Sequence, residues 1–453
     1  MAQSGQAPRP AVVHEVFRNP GYLRLLLLSA AVGIPVSLVA FGFVALQHQM
    51  QHGVWVSLPH ALGMAAAPWW WPLPCLTLGG LLVAWCVIAL PGRGGHVAAE
   101  GFGGAPTLPS ALPGVVLAAL AGLSLGAVLG PEAPLMALGS GLALMSVRSA
   151  GRAATPQLVP VLGAAGSAAA ISTILGSPLV AAVLMIEVAG IGAPQLYVVL
   201  LPSLLASGVG ALVFTGFGHW TGLEVGSLAL PLSGPSEPLD AGDLLWGVPL
   251  AAVTALGTAG VMLLARHAAR WTGRRTLQRT VLCGVAVGVC AACYTLATGR
   301  PPDDVALSGQ TTLVTLARDP HVWAVSTLVL LLLFKGVGWA ISLGSFRGGP
   351  IFPSVLMGAA LGVACSGLPG FGALPALAAG LTASSTAALR LPVSAVVLAA
   401  LLLGKPGVDQ IPLVVIAAVV SFVVSELLPG RTPAGADAVR QSPQPGRPSR
   451  SGP

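Results

Sequence analysis

The chain has 453 residues, of which 55% are apolar and only 8% charged, and its mean hydropathy is +0.86. Soluble domains carry about 25% charged residues, so too few are present to cover a water-facing surface, which excludes a soluble enzyme or a nucleic-acid binder as the main body. The net charge of +7 arises from 21 basic against 14 acidic side chains; the basic ones cluster beside apolar runs, as cytoplasmic segments of membrane proteins do.

Residues 1–19 read as a cytoplasmic N-terminal segment carrying Arg9 and Arg18. The apolar run that begins at Tyr22 is about 25 residues long, enough to cross a bilayer, and is predicted to be a retained span and not a cleaved signal peptide. Trp69-Trp70-Trp71 reads as an aromatic marker of a membrane interface. Gly94-Gly95-His96-Val97 is a glycine-rich break able to host a helix start, where His96 is equally an ordinary turn histidine.

Between Glu100 and Glu224 the only acids are Glu132 and Glu187. An ionisable group at membrane depth is a functional candidate by default. Glu132 lies within Gly130-Pro131-Glu132-Ala133-Pro134. Proline suits the first turn of a helix, where its missing N–H has no partner to lose, so this element reads as a loop running into a helix N-terminus. Such an end presents free N–H groups and the positive end of the helix dipole. The Glu132 carboxylate either occupies that anion site as a gate or caps a re-entrant turn. Glu187, late in a long apolar run, has two readings of equal standing, a functional acid or a structural one bonding backbone N–H groups.

A linker over residues 226–243, rich in Pro, Ser and Gly, follows. Arg266, Arg270, Arg274, Arg275 and Arg279 read as one basic cytoplasmic loop. Cys290-x-x-Cys293 has redox or metal spacing but sits in an apolar helix with no partner pair, so buried inert thiols and no metal site are expected. Lys335 and Arg347 flank Gly349-Pro350-Ile351-Phe352-Pro353; both are placed to draw anions to its mouth, although Lys335 equally suits snorkelling to an interface. The tail, residues 431–453, is predicted to be disordered and cytoplasmic.

The organisation is an internal repeat. The stretch from Gly130 to Gly139 matches that from Gly349 to Gly358, with both glycines and both prolines in register, and the stretch from Ala164 parallels that from Ala378, with Pro178 opposite Pro392. Residues 20–225 and 244–430 are assigned as the two membrane repeats. Glycine (59) and proline (39) fall inside the apolar stretches as well as between them, so broken and re-entrant helices are expected. Irregular backbone survives at membrane depth only where protein buries it or a watery cavity meets it, and repeats with interrupted helices place transport sites between them.

These residues resemble the CLC chloride channel and transporter family. The resemblance rests on the GPEAP element, IEV after a proline-broken helix, and GGPIFPSVLMGAALG in the second half; it covers about 400 residues, from Asn19 to Leu428. It implies an all-α polytopic membrane protein of two inverted repeats, a homodimer with a separate anion path in each subunit, and no cofactor beyond the transported ion.

Residue by residue, the resemblance implies anion binding by Gly94, Gly95 and His96, by Gly130, Pro131 and Ala133, and by Gly349, Pro350, Ile351, Phe352 and Pro353, with Glu132 as the gate and Glu187, Val188 and Arg347 in support. Departures bear on function. Gly95 falls where the family has a central serine, Ile351 where it has a pore-lining phenylalanine, and no tyrosine lies near Arg431 to Ala434, where the family has its pore tyrosine. Selectivity among anions is therefore expected to be loose. Val188 stands where proton-coupled members carry a second glutamate for the internal relay.

The expected function is a passive, Glu132-gated chloride channel, with a proton-coupled anion antiporter of the same fold as the alternative. An intramembrane hydrolase would need facing Ser/His, Asp/Asp or metal-ligand sets, and no such set appears in the spans. The expected location is the plasma (inner) membrane, with both termini cytoplasmic and small anions and lipid as partners.

Overall fold

A computed structural model describes residues 20–101, 106–149, 158–189, 193–221, 228–232 and 238–428. The basic N-terminal segment, residues 226–227 and 233–237 of the linker, the tail and the expected tyrosine position at 431–434 lie outside the described residues.

Helix α1 (Pro20–His52) continues through a π-helical turn at Gly53–Ser57 into Leu58–Ala61. It is followed by α2 (Pro72–Ala89), α3 (Leu112–Ser124), α4 (Glu132–Ser149), α5 (Leu158–Leu175), α6 (Pro178–Ala189) and α7 (Ala193–Thr221). The second half contains α8 (Ala241–Thr272), α9 (Thr276–Thr298), α10 (Gln310–Arg318), α11 (Val325–Ser345), α12 (Ile351–Cys365), α13 (Ala373–Leu389), α14 (Pro392–Leu403) and α15 (Ile411–Leu427). Among the described residues the only extended pairing is one antiparallel bridge, Gly130 to Gly349; the all-α expectation holds.

Among the described residues, eight helices are long and apolar enough to cross a membrane. Others are too short for that. The twelve residues of α6 and of α14 rise about 18 Å at 1.5 Å per residue, against a hydrocarbon core of about 30 Å. Each begins at a proline, Pro178 or Pro392, which cannot continue the preceding helix. The expected broken helices are therefore present, and repeat as the sequence does: α4, α5 and α6 correspond to α12, α13 and α14.

The two repeats share one packing rule. In α4 and α5, a Cβ added at Gly139 would overlap the carbonyl oxygen of Gly166, and one at Gly166 would overlap that of Gly139. In α12 and α13 the same reciprocal contact joins Gly358 and Gly380. Backbones touch where side chains are absent, which is how helices pack closely without a hydrophobic drive between them in lipid. The repeats also interlock, since Gly80 of α2 approaches the backbone of Thr280 in α9, and Gly284 of α9 that of Leu76 in α2.

Three expectations need correction. Arg266 and Arg270 belong to the last turns of α8 and Arg279 to α9, so the basic loop is a short hairpin between two helices that carry the rest of the cluster. The linker ends earlier than 243, because Asp240 caps α8 and Asp243 returns a carboxylate to the Asp240 N–H at 3.1 Å, a reciprocal capping box. Trp71 is buried and donates from its indole to the Val54 carbonyl at 3.1 Å, so of the three tryptophans only Trp69 and Trp70 are exposed. Cys290 and Cys293 are free and half-buried.

Candidate functional site

The two Gly-Pro-x-x-Pro elements meet. Gly130 N–H donates to the Gly349 carbonyl at 2.9 Å and Gly349 N–H to the Gly130 carbonyl at 2.6 Å, so the loops that lead into α4 and α12 run antiparallel beside each other. Prolines then thin out the donors at each helix start. Pro131, Pro134, Pro350 and Pro353 have no N–H, while Leu135 N–H and Ser354 N–H bond back to the Pro131 and Pro350 carbonyls at 3.0 and 3.1 Å. The first-turn donors left over are those of Glu132 and Ala133 on one side and of Ile351 and Phe352 on the other.

Glu132 crosses between them. Its side chain is fully buried and reaches into the other repeat, where Phe352 N–H donates to Oε1 at 3.1 Å. Oε2 has no protein partner. Glycines on both sides leave room for this crossing, since a Cβ at Gly130 or at Gly349 would displace the Glu132 carboxylate from its present position. A carboxyl oxygen thus sits on the N-terminus of α12, where an anion is favoured by free N–H groups and the helix dipole. The capping reading and the gating reading of Glu132 describe one geometry, with the difference that the capped helix belongs to the opposite repeat.

The segment before Glu132 is held by the second repeat at further points that the sequence does not advertise. Val128 N–H donates to Ser342 Oγ at 3.2 Å, and Leu307 N–H donates to the Gly126 carbonyl at 3.1 Å. Leu307 belongs to a turn clamped by Lys335. This lysine is fully buried, with Nζ donating to the carbonyls of Asp304 and Val305 at 3.0 Å and lying 3.3 and 3.4 Å from those of Leu307 and Ala306. It neither snorkels nor faces the Gly349 element, because four inward-turned carbonyls solvate its ammonium inside the protein. Beside it the Asp304 carboxylate accepts from Arg300 Nε at 2.8 Å, Thr312 Oγ1 at 3.1 Å and Tyr294 Oη at 3.3 Å.

The Gly94 break does not start a long helix among the described residues. Gly92, Arg93, Gly94 and Gly95 all have positive φ, and only a three-residue 3-10 turn, Ala98–Glu100, follows. A side chain at Gly95 would meet Val115 of α3. His96 is exposed, its Nε2 lying 2.9 Å from the Gly101 carbonyl, which is the turn-histidine arrangement. Arg347 is the residue that connects this break to the second element, its guanidinium donating to the Arg93 carbonyl at 3.3 Å.

Glu187 is a cap across the repeats. Val393 N–H donates to Oε1 at 3.0 Å, while Ser394 N–H and Ser394 Oγ donate to Oε2 at 2.7 and 2.6 Å, so the carboxylate closes the N-terminus of α14. Val188 beside it packs on the apolar core. Of the two readings of Glu187, this geometry is the structural one. Glu187→Ala would leave three donors without a partner, about 1–3 kcal/mol for each that stays buried. It is expected to lower the unfolding temperature in detergent, and an unchanged melting curve would show that the cap carries no stability.

The chain is similar to known proteins. A family described as voltage gated chloride channel matches residues 79–426. YfeO of Escherichia coli (strain SMS-3-5 / SECEC), named as an ion-transport protein, is 30% identical over 359 residues, covering 76% of this chain and 80% of YfeO. Among solved structures, a slow cyanobacterial Cl-/H+ antiporter superposes with a TM-score of 0.74 at 18% identity, covering 92% of this chain and 97% of that one. A CLC-type fluoride/proton antiporter does so with a TM-score of 0.68 at 18% identity, covering 89% and 95%. At that identity the superpositions speak for the fold alone, while the family match covers more than half of the chain. With its paired helix starts and buried crossing glutamate, the chain is an integral membrane protein of the voltage-gated chloride channel family, the CLC family of anion-transport proteins.

Proposed function

We propose that the chain is a gated, passive channel for small anions, with chloride as the default ion, and that Glu132 is its gate. The observation that carries this reading is the hydrogen bond from Phe352 N–H to Glu132 Oε1 at 3.1 Å. A carboxylate on that donor competes with a permeating anion for it. Protonation removes the charge that holds the side chain there, and the helix start then becomes available. Ala133 and Ile351 contribute backbone N–H groups to the same path, with Gly130, Pro131, Gly349, Pro350 and Pro353 shaping it. The family resemblance adds a homodimer with one path per subunit. The basic residues beside the spans support cytoplasmic termini and a plasma-membrane location.

A second reading, a proton-coupled anion antiporter, is favoured by the two superposed structures, both named as antiporters. The channel reading is preferred because coupling needs a proton route to Glu132. Val188 offers no titratable group, and its neighbour Glu187 is engaged with Val393 and Ser394. In reconstituted vesicles an outward chloride gradient is therefore expected to move chloride without stoichiometric uphill proton movement. A pH electrode recording alongside a chloride electrode checks this, and sustained chloride-driven proton pumping would establish the antiporter.

A further inference from the structure

Arg347 occupies the short connection between α11 and the Gly349 element and is 8% exposed. Its guanidinium is fixed on two carbonyls, one terminal nitrogen donating to Phe346 O at 3.2 Å and the other to Arg93 O at 3.3 Å. The Nε N–H has no protein partner. No carboxylate forms an ion pair with it among the described residues; the acid whose field reaches it is Glu100, which is exposed.

The backbone facing Nε is glycine for a geometric reason. Gly94 has φ +73°, and a Cβ built there would stand 3.4 Å from Nε, between Ala118 Cβ and Val87 Cγ2. Arg93, at φ +49°, turns its carbonyl to the guanidinium from the same strained turn.

Arg347 also breaks the repeat. The residue two before Gly130 is Val128, which is buried, whereas the residue two before Gly349 is Arg347. The fixed charge is thus present in only one of the two elements and lies next to the Gly92–Gly95 turn. A guanidinium keeps its charge at every accessible pH, a buried charge is costly without a counter-charge, and an unpaired N–H on it is a charge-assisted donor.

We propose that Arg347 is an anion-binding residue of the pathway, forming with the Gly94 turn a second site for a small monovalent anion such as a halide, separate from the Phe352 site that Glu132 occupies. The site rests on the anion-pathway reading above and adds to it a permanent positive charge that does not titrate. It holds an incoming ion before that ion competes with Glu132, and it makes the pathway reject cations irrespective of the state of the gate.

The test uses the full chain purified in detergent. Chloride binding is measured by calorimetry on Glu132→Gln, and on the same variant carrying Arg347→Gln or Arg347→Lys; crystals of Glu132→Gln, in which the Phe352 site is open, are soaked in bromide and its anomalous signal located. Glu132→Gln is expected to bind two ions per chain. Adding Arg347→Gln is expected to remove one of them or to weaken it about tenfold or more, equivalent to about 1.4 kcal/mol, with Arg347→Lys intermediate. Bromide is expected beside Arg347 Nε.

A structural role alone would lower thermal stability and leave both affinities unchanged, and that result overturns the proposal. Should the Arg347 variants fail to fold, the bromide position decides: a peak at Phe352 with none at Arg347 overturns this site and leaves the gate reading intact. No halide at either position overturns both.

Discussion

Glu132→Gln is expected to raise anion efflux from reconstituted vesicles by roughly 10- to 100-fold and to flatten its pH dependence. The magnitude follows from what holds the gate closed. Hydrogen bonds to charged groups contribute about 1.5–3 kcal/mol, and each 1.36 kcal/mol is about tenfold in rate. The amide keeps the shape of the side chain but loses the charge that binds it to Phe352 N–H and the N-terminus of α12. The sign with pH is fixed by the same contact. The carboxylate form blocks, so flux through the unmodified chain rises as pH falls, while the glutamine variant, with nothing to titrate at that position, stays high throughout. A concentration-jump efflux assay across a pH series checks both. Equal flux and equal pH response in the two proteins would remove Glu132 from the gate.

The largest loss of stability is expected at the paired glycine crossings. Gly139→Leu or Gly358→Leu would push a side chain into the carbonyl oxygen of Gly166 or Gly380. Backbone cannot swing away as a flexible side chain can, so the helices must separate. Overpacking in a well-packed core costs about 1–3 kcal/mol, occasionally more, and here the close packing of the whole α4–α5 or α12–α13 pair is lost with it. Both variants are expected to show sharply reduced folded yield by size-exclusion chromatography, with what remains unfolding at lower temperature. Gly257→Leu on α8, where an added Cβ meets nothing within 4 Å, is the matched control and is expected to behave like the unmodified chain. Normal yield from Gly139→Leu would show that the crossing tolerates repacking.

The membrane class, the repeat and the place of the buried acid Glu132 at a helix start were legible in the chain because each is written in local pattern. Low charge and long apolar runs require a bilayer. The twin Gly-Pro-x-x-Pro elements announce two helix starts, since proline's missing N–H suits a first turn, and an acid inside one of them has few other uses at that depth. Pro178 and Pro392 likewise mark where α6 and α14 begin.

Local pattern stops at the partners. That Glu132 caps the helix of the other repeat, that Glu187 closes α14, and that Ser342 and Leu307 hold the segment before Glu132 all depend on residues more than a hundred positions apart. The repeat shows that two similar elements exist, but only their packing brings them into one antiparallel bridge. Charged residues were the least legible. Lys335 suits an interface cation in the sequence, and Trp71 an interface aromatic, because apolar neighbours along the chain imply lipid around them, and Arg347 reads there as a cation at the mouth of the second element. In the folded protein the environment of Lys335 is four backbone carbonyls and that of Arg347 two more. Whether a long cationic side chain runs outward to water or inward to carbonyl oxygens is decided by which of the two solvates its charge, and the inward-turned oxygens exist only once the tertiary structure has formed.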